Sequence, residues 1–348
     1  MPENDESLKL NNCLNLEEID ENLGLLRGLK EISLQKCFRL KKPGPEVCRK
    51  GGQAIISYLR RLLDSKEVCY RTKLMIVGLG GVGKTSILRA LMSDDGKAPN
   101  IDREEITDGI DLHTWLIDLP DKPPLTFLIW DFAGQTVYYN THQFFLTRRA
   151  VYLLMWNVRQ GHEHSGLSFW LNSIQCHAPE APIIVCGTHI DKVSKSEISI
   201  RDLTKKYDQV VDLAFVSSLT GEGVVNLRKR LVEVALEQRH MGEFIPQIWL
   251  NFEEKIIKER KNNRYLDRSH YESLAIDSGI FTDEIEQVTS FLDNLGTIQY
   301  FRNELLSNII IIQPQWLVDV MSALITVRSN NIKNSVHNVS IHKMKTYD

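Results

Sequence analysis

The sequence predicts an α/β protein organised around a phosphate-binding P-loop and a mostly parallel sheet. Three observations predict it. Gly78-Leu79-Gly80-Gly81-Val82-Gly83-Lys84-Thr85 reads G-x-x-x-x-G-K-T. Apolar runs suited to buried strands alternate with stretches at helical spacing from Lys73 to Leu236. Polar residues able to meet phosphate, metal or base follow those runs, at the strand ends where open α/β sheets bind ligands.

The elements follow in order. Lys73–Val77 is a short apolar run before the glycine loop, and Ser86–Met92 has helical spacing after it. Strand, loop and helix together aim backbone N–H groups and a helix N-terminus at an anion. In such a loop Lys84 reaches the β- and γ-phosphates and the Thr85 hydroxyl ligates Mg²⁺. Gly78, Gly80, Gly81, Val82, Gly83 and Ser86 complete the candidate cradle.

A polar stretch from Ser93 to Asp108 ends at Thr107, a candidate for Mg²⁺ and the γ-phosphate. Leu125–Trp130 reads as a second buried strand, running into Asp131-Phe-Ala-Gly134-Gln135. Asp131 at a strand end can hold Mg²⁺, the Gly134 N–H can approach the γ-phosphate, and Gln135 can orient a water. This is not the D-F-G of a protein kinase, because no H-R-D loop or V-A-I-K strand accompanies it in this segment.

Ala150–Trp156 is the next strand, and Ser168–Cys176 a helix with Trp170, Leu171 and Ile174 on one face. Pro182–Cys186 leads into Gly187-Thr188-His189-Ile190-Asp191. A carboxylate at Asp191 accepts from the N1–H and exocyclic amine of guanine, a donor pair that adenine lacks. Leu213–Val216 leads to Ser217-Ser218-Leu219, a loop able to offer a backbone N–H to the guanine O6. A helix over Val224–Leu236 closes the unit.

Two flanking modules are expected. Leu8-x-Leu10-x-x-Cys13-x-x-Leu16 recurs as Ile32-x-Leu34-x-x-Cys37-x-x-Leu40, which resembles the leucine-rich repeat. Two copies cannot bury a face alone, so the array is expected to begin upstream and the chain to be a fragment. Pro43-Gly44-Pro45 breaks the pattern, and Ala54, Ile55, Tyr58, Leu59, Leu62 and Leu63 predict an amphipathic capping helix. After Pro246, Phe252, Ile256 and Ile257 suggest a helix, and Ile285–Leu295 a second that stops at Gly296. Thr297–Phe301 and Asn308–Ile312 suggest a hairpin, and Gln315–Ile325 a helix, an order similar to a winged helix. The expected partition is 1–66, 70–240 and 241–348.

Composition bounds the function. The chain has 348 residues, enough for two or three domains at ~150 residues each. A net charge of −3 gives no case for nucleic acid. No apolar run approaches the ~20 residues of a membrane span, and the acidic N-terminus has no signal-peptide pattern. The six cysteines form no C-x-x-C pair and suit reduced thiols in a cytoplasmic protein.

The combined motifs resemble those of small GTPases. Thr188-His-Ile-Asp191 in place of Asn-Lys-x-Asp, together with Tyr139-Asn-Thr141-His142 and Phe145-Leu-Thr147-Arg-Arg-Ala150, resembles the Ras-of-complex (Roc) domain. With the repeats before it and Pro314-Gln-Trp316-Leu-Val after it, the chain is similar to the Roco family, which includes the leucine-rich-repeat kinases. The last segment resembles the first half of the COR (C-terminal of Roc) domain, which in that family packs on Roc and contributes to dimerisation. Two departures stand out. Thr188 and His189 replace the usual Asn and Lys. Gln135 stands where the leucine-rich-repeat kinases have Arg, and with Gly80 makes the site more Ras-like.

The resemblance implies a switch that binds GTP or GDP with Mg²⁺ and hydrolyses GTP slowly. Gln135 and Lys84 would be catalytic. Thr85, Thr107 and Asp131 would hold the metal, and Gly134, Thr188, His189, Asp191, Ser217, Ser218 and Leu219 would complete the nucleotide site. Protein partners are expected through the repeats, and a homodimer through Roc and COR in a longer protein. The alternative is a nucleotide-regulated interaction scaffold without significant turnover. An ATP-dependent P-loop protein is a third reading, which Asp191 opposes.

Overall fold

The computed structural model describes residues 6–99, 107, 110–134, 142–160, 166–192 and 200–325. At the N-terminus, β1 (Glu6–Lys9) and β2 (Leu29–Ser33) pair in parallel, with Leu8 opposite Ile32 and Lys9 opposite Ser33. The same offset continues beyond the strands. Asn11 Oδ1 accepts from the Gln35 N–H, Asn15 Oδ1 from Arg39, and Lys41 meets Glu17, each pair 24 positions apart. Asn12 and Lys36 both adopt the left-handed conformation at the same turn of successive copies. The two segments are therefore stacked copies of one coil.

After the short helix α1 (Pro45–Cys48), α2 (Gly52–Asp64) covers the coil. It buries Ala54, Ile55, Ile56, Tyr58, Leu59 and Leu62. Leu63 lies at the edge of the expected face and stays exposed, and Ile56 is buried in addition. A short strand, β3 (Lys66–Cys69), leads into the central unit.

That unit comprises β4 (Arg71–Gly78), α3 (Lys84–Met92), β5 (Ile110–Leu119), β6 (Lys122–Phe132), β7 (Ala150–Asn157), α4 (Leu167–His177), β8 (Ile183–Thr188), α5 (Ile200–Lys206), β9 (Val210–Val216) and α6 (Val224–Leu236). The strand order is β5-β6-β4-β7-β8-β9, parallel except for β5, which runs antiparallel to β6 at the edge. Helices cover both faces, so the central strands are apolar on both sides. Leu74 and Ile76 pack with α3 and α6, and Met75 and Val77 with α4. Strand β5 carried no clear strand pattern in the sequence because, of its residues, only Ile110 and Trp115 are buried.

The last unit begins with β10 (Glu243–Pro246), antiparallel to β3. Then come α7 (Gln247–Glu259), β11 (Tyr265–Asp267), α8 (Arg268–Ile276), α9 (Ile285–Leu295), β12 (Gln299–Tyr300), β13 (Ile309–Ile311) and α10 (Pro314–Ile325). Helices α7, α8 and α9 with a three-stranded sheet of order β11-β13-β12 give a winged-helix arrangement, and α10 follows it. Gly296 ends α9 in the left-handed conformation.

The flanking segments are not separate bodies. Ile32, Tyr58 and Leu59 share one continuous core with Trp249, Phe252, Phe291 and Ile310. Arg61 clamps the buried Glu284 with bonds of 2.8 and 2.9 Å, and the Tyr58 hydroxyl donates to the Phe244 carbonyl. Helix α2 thus joins the two ends of the chain instead of only capping the coil. Trp316 is half-buried and stacks on Tyr265, while Val318 reaches a core of the central sheet. Among the described residues no helix is long and apolar enough to cross a membrane. All six cysteines are free.

Candidate functional site

The glycine loop joins the end of β4 to α3. Gly83 caps α3 with φ 86°, a left-handed conformation that a side chain resists. Lys84 is buried, and its ammonium donates to the carbonyls of Gly78 (3.1 Å) and Leu79 (2.9 Å). Burial lowers its pKa to about 8, partly offset by the nearby Asp131. It is therefore still a cation at neutral pH, folded back on its own loop. Ser86 sits half-buried in the first turn of α3, and Gly80 and Gly81 face solvent.

Three oxygens meet beside the loop. The Thr85 hydroxyl donates to Asp131 Oδ2 at 2.6 Å, and Thr107 Oγ1 lies 2.9 Å from Thr85 Oγ1. Asp131 is fully buried, and its Oδ1 has no hydrogen-bond partner among the described residues. Burial pushes its pKa up to about 6, against the Thr85 bond and the Lys84 charge. Two hydroxyls and a carboxylate with a spare oxygen suit a hard divalent cation such as Mg²⁺. Among the described residues no His, Cys, Asp and Glu cluster offers a competing metal site.

Gly134 lies directly on the glycine loop. A Cβ placed there would sit 2.4 Å from the Gly80 N and Cα and 2.5 Å from the Leu79 carbonyl oxygen. Only a glycine permits this approach. Gln135 lies outside the described residues, as do Tyr139 and Thr141 of the signature. His142 is described and is core, packed between Phe132 and Trp170.

On the other side of the loop, Thr188 ends β8, fully buried. Its hydroxyl lies 2.7 Å from the Val82 carbonyl oxygen, 3.0 Å from that of Trp156 and 2.9 Å from His189 Nδ1. With one proton it serves one carbonyl at a time and accepts from the imidazole. The Thr replacing Asn therefore still ties β8 to the P-loop. His189 has φ 64°, and its Cε1 is 3.7 Å from where a Cβ on Gly83 would stand. Burial, and then the charge of Arg159, lowers its pKa, so the imidazole is neutral at physiological pH.

Asp191 is exposed, and a bond from the Ser217 hydroxyl lowers its pKa. Ser217 is buried; the Thr220 N–H approaches its Oγ at 3.3 Å. The Ser218 carbonyl accepts from the Ala98 N–H at 2.9 Å, and Leu219 is exposed. Two further residues join this side. Asn157, opposite Thr188 across β7 and β8, accepts at Oδ1 from the N–H and Nε of Arg159, at 3.0 and 3.2 Å. Their only sequence signal was their place after an apolar strand.

Residues 73–191 match the family described as Ras of Complex, Roc, domain of DAPkinase, and residues 246–345 match C-terminal of Roc, COR-A domain. These matches support the Roco family. The central unit is a Roc GTPase domain. Among similar proteins is the probable serine/threonine-protein kinase pats1 of Dictyostelium discoideum, 36% identical over 94% of this chain and 11% of that protein. Leucine-rich repeat serine/threonine-protein kinase 1 of Caenorhabditis elegans is 26% identical over 93% of the chain and 16% of its own length. The chain thus spans about a tenth of the Dictyostelium kinase. The solved structure of Methanosarcina barkeri Roco2 RocCORdC bound to GDP shares the fold, with TM-score 0.68 and 24% identity over 76% of this chain and 79% of that one.

Proposed function

We propose that this chain is the guanine-nucleotide switch of a longer Roco protein and hydrolyses GTP slowly. The observation that carries this reading is the meeting of Thr85, Thr107 and Asp131 beside Lys84 on the P-loop. Lys84 exchanges its loop carbonyls for phosphate oxygens, which are better partners for a buried cation. Thr85, Thr107 and Asp131 would hold Mg²⁺, which neutralises phosphate charge when bound. Asp191, braced by Ser217, accepts from guanine, and the bound GDP of the M. barkeri relative supports that ligand class. Gln135 orients the attacking water. Catalysis is mostly positioning and electrostatics, and without an evident arginine finger the intrinsic rate is low.

The coil formed by β1 and β2 is, on this reading, the end of a leucine-rich repeat array that contacts protein partners. On this reading a Roc–COR dimer and a cytoplasmic location are properties of the longer protein. A scaffold reading draws support from the continuous core that ties the coil to the COR-like unit.

The test is the affinity of this chain for GDP, GTP and ATP, with single-turnover hydrolysis. Tight GDP and GTP binding, weak ATP binding, loss of binding in Lys84→Ala and loss of guanine preference in Asp191→Ala are expected. ATP competing equally with GTP would refute the base assignment. Binding with no turnover in any oligomeric state would favour the scaffold.

A further inference from the structure

A second cleft, of about 320 Å³, opens near the N-terminal end of β7, away from the P-loop. The N-terminal segment forms one wall, through Phe38 and Arg49. The Roc domain forms the other, through Arg148 and the residues that follow α6. Its wall carboxylates already have cations. Glu180 meets Arg49 at 3.7 Å, Glu46 lies 4.0 Å from Arg149, and Glu237 lies 3.5 Å from Arg230. Arg149 is buried and paired with Glu243, yet its Nε has no hydrogen-bond partner among the described residues.

Arg148 and Arg239 are different. Both line the cleft, both are exposed, and neither has a carboxylate partner among the described residues. Two such guanidinium groups lining one cleft make it a place where an anion gains charge-assisted hydrogen bonds. A phosphate dianion carries two charges and enough oxygens to accept from two planar forks at once. Phe38 stands on the rim with its ring exposed, a platform for an apolar body. The volume suits a compact ligand.

We propose that this cleft binds a small phosphomonoester, the phosphate between Arg148 and Arg239 and the apolar body against Phe38. Such a ligand touches both walls, so it favours the docked arrangement of the N-terminal segment on the Roc domain.

The probe is phenyl phosphate, titrated calorimetrically into the whole chain, with inorganic phosphate in a parallel arm. Saturable binding is expected. Arg148→Ala with Arg239→Ala should weaken it at least about tenfold while leaving the thermal melt unchanged, because both side chains are exposed. Phe38→Ala should weaken phenyl phosphate and leave inorganic phosphate alone. Lys84→Ala should bind as the wild type does. The proposal is overturned by absence of saturable binding, by equal affinity in the double variant, or by loss in Lys84→Ala, which would place the probe on the P-loop. A phosphoserine peptide binding more than about tenfold tighter than phenyl phosphate would assign the cleft to a protein partner instead.

Discussion

Thr188→Val tests how the Roc domain braces its nucleotide loop. The substitution keeps the shape and removes the one hydroxyl that links Val82, Trp156 and His189. Thr188 is 2% exposed, so water does not replace it. At least one buried carbonyl and the imidazole Nδ1 then lose a partner, a cost of about 1–3 kcal/mol. For a unit of this size, ~2–4 °C per kcal/mol gives a fall in Tm of roughly 2–12 °C. Val82 belongs to the P-loop, so GDP dissociation should quicken as well, by about tenfold for each 1.4 kcal/mol that falls on the bound state. Scanning calorimetry and release of a fluorescent GDP analogue measure the two effects. Thr188→Ser, which keeps the hydroxyl, should stay near wild type. Thr188→Asn, with two donors, can serve both carbonyls and should release GDP more slowly than Thr188→Val. A Thr188→Val protein that melts within about 1 °C of wild type and releases GDP at the wild-type rate would show that the hydroxyl does not brace the loop.

Three further outcomes are expected. Burial raises the Asp131 carboxyl to about 6, so the folded state holds its proton where the unfolded chain has lost it. Stability without metal should therefore fall from about pH 4 to about pH 6, by on the order of 3 kcal/mol. Mg²⁺ affinity should rise over the same window, and Asp131→Asn should flatten both profiles; a flat wild-type profile would contradict the assignment. Gly134→Ala forces the Asp131–Gly134 segment off the Gly80 backbone, at about 1–3 kcal/mol, and should lower GTP affinity more than GDP affinity; equal losses would mean that Gly134 does not report the γ-phosphate. Arg71 meets the buried Glu253 through bonds of 2.7 and 2.8 Å, joining β4 to α7. Arg71→Ala should cost about 3 kcal/mol, the low end for a broken buried pair because Arg71 is partly exposed, and chemical denaturation should show Arg71→Met with Glu253→Met recovering most of it.

The strands β4, β7 and β8 were legible because they are buried on both faces and read as unbroken apolar runs. Strand β11 was not, since three residues carry no periodicity and Leu266 alone points inward. The strand-end motifs gave most of the candidate site, because P-loop chemistry fixes residue type and spacing together. Thr107 illustrates the limit. As a lone threonine in a polar stretch it had no local signal beyond its order in the chain, and only its 2.9 Å approach to Thr85 gives it a place. Asn157 and Arg159 likewise had no signal beyond their place at the end of an apolar strand.

The amino-acid sequence by itself determined the α/β unit, the ligand end of its sheet and the residue types gathered there. Those follow from local constraints, namely hydrophobic period, glycine conformation and fixed motif spacing. Tertiary structure alone decided how the flanking segments relate. Lys73 lies inside an apolar run, yet it donates to the Asp293 carbonyl and lies over the Trp130 ring. Arg149 finds Glu243, and helix α2 fuses the N-terminal coil with the winged-helix unit. Each of these partners is far away in the chain. A buried charge needs an opposite charge or an acceptor, but nothing in its neighbouring residues says which distant segment will supply it.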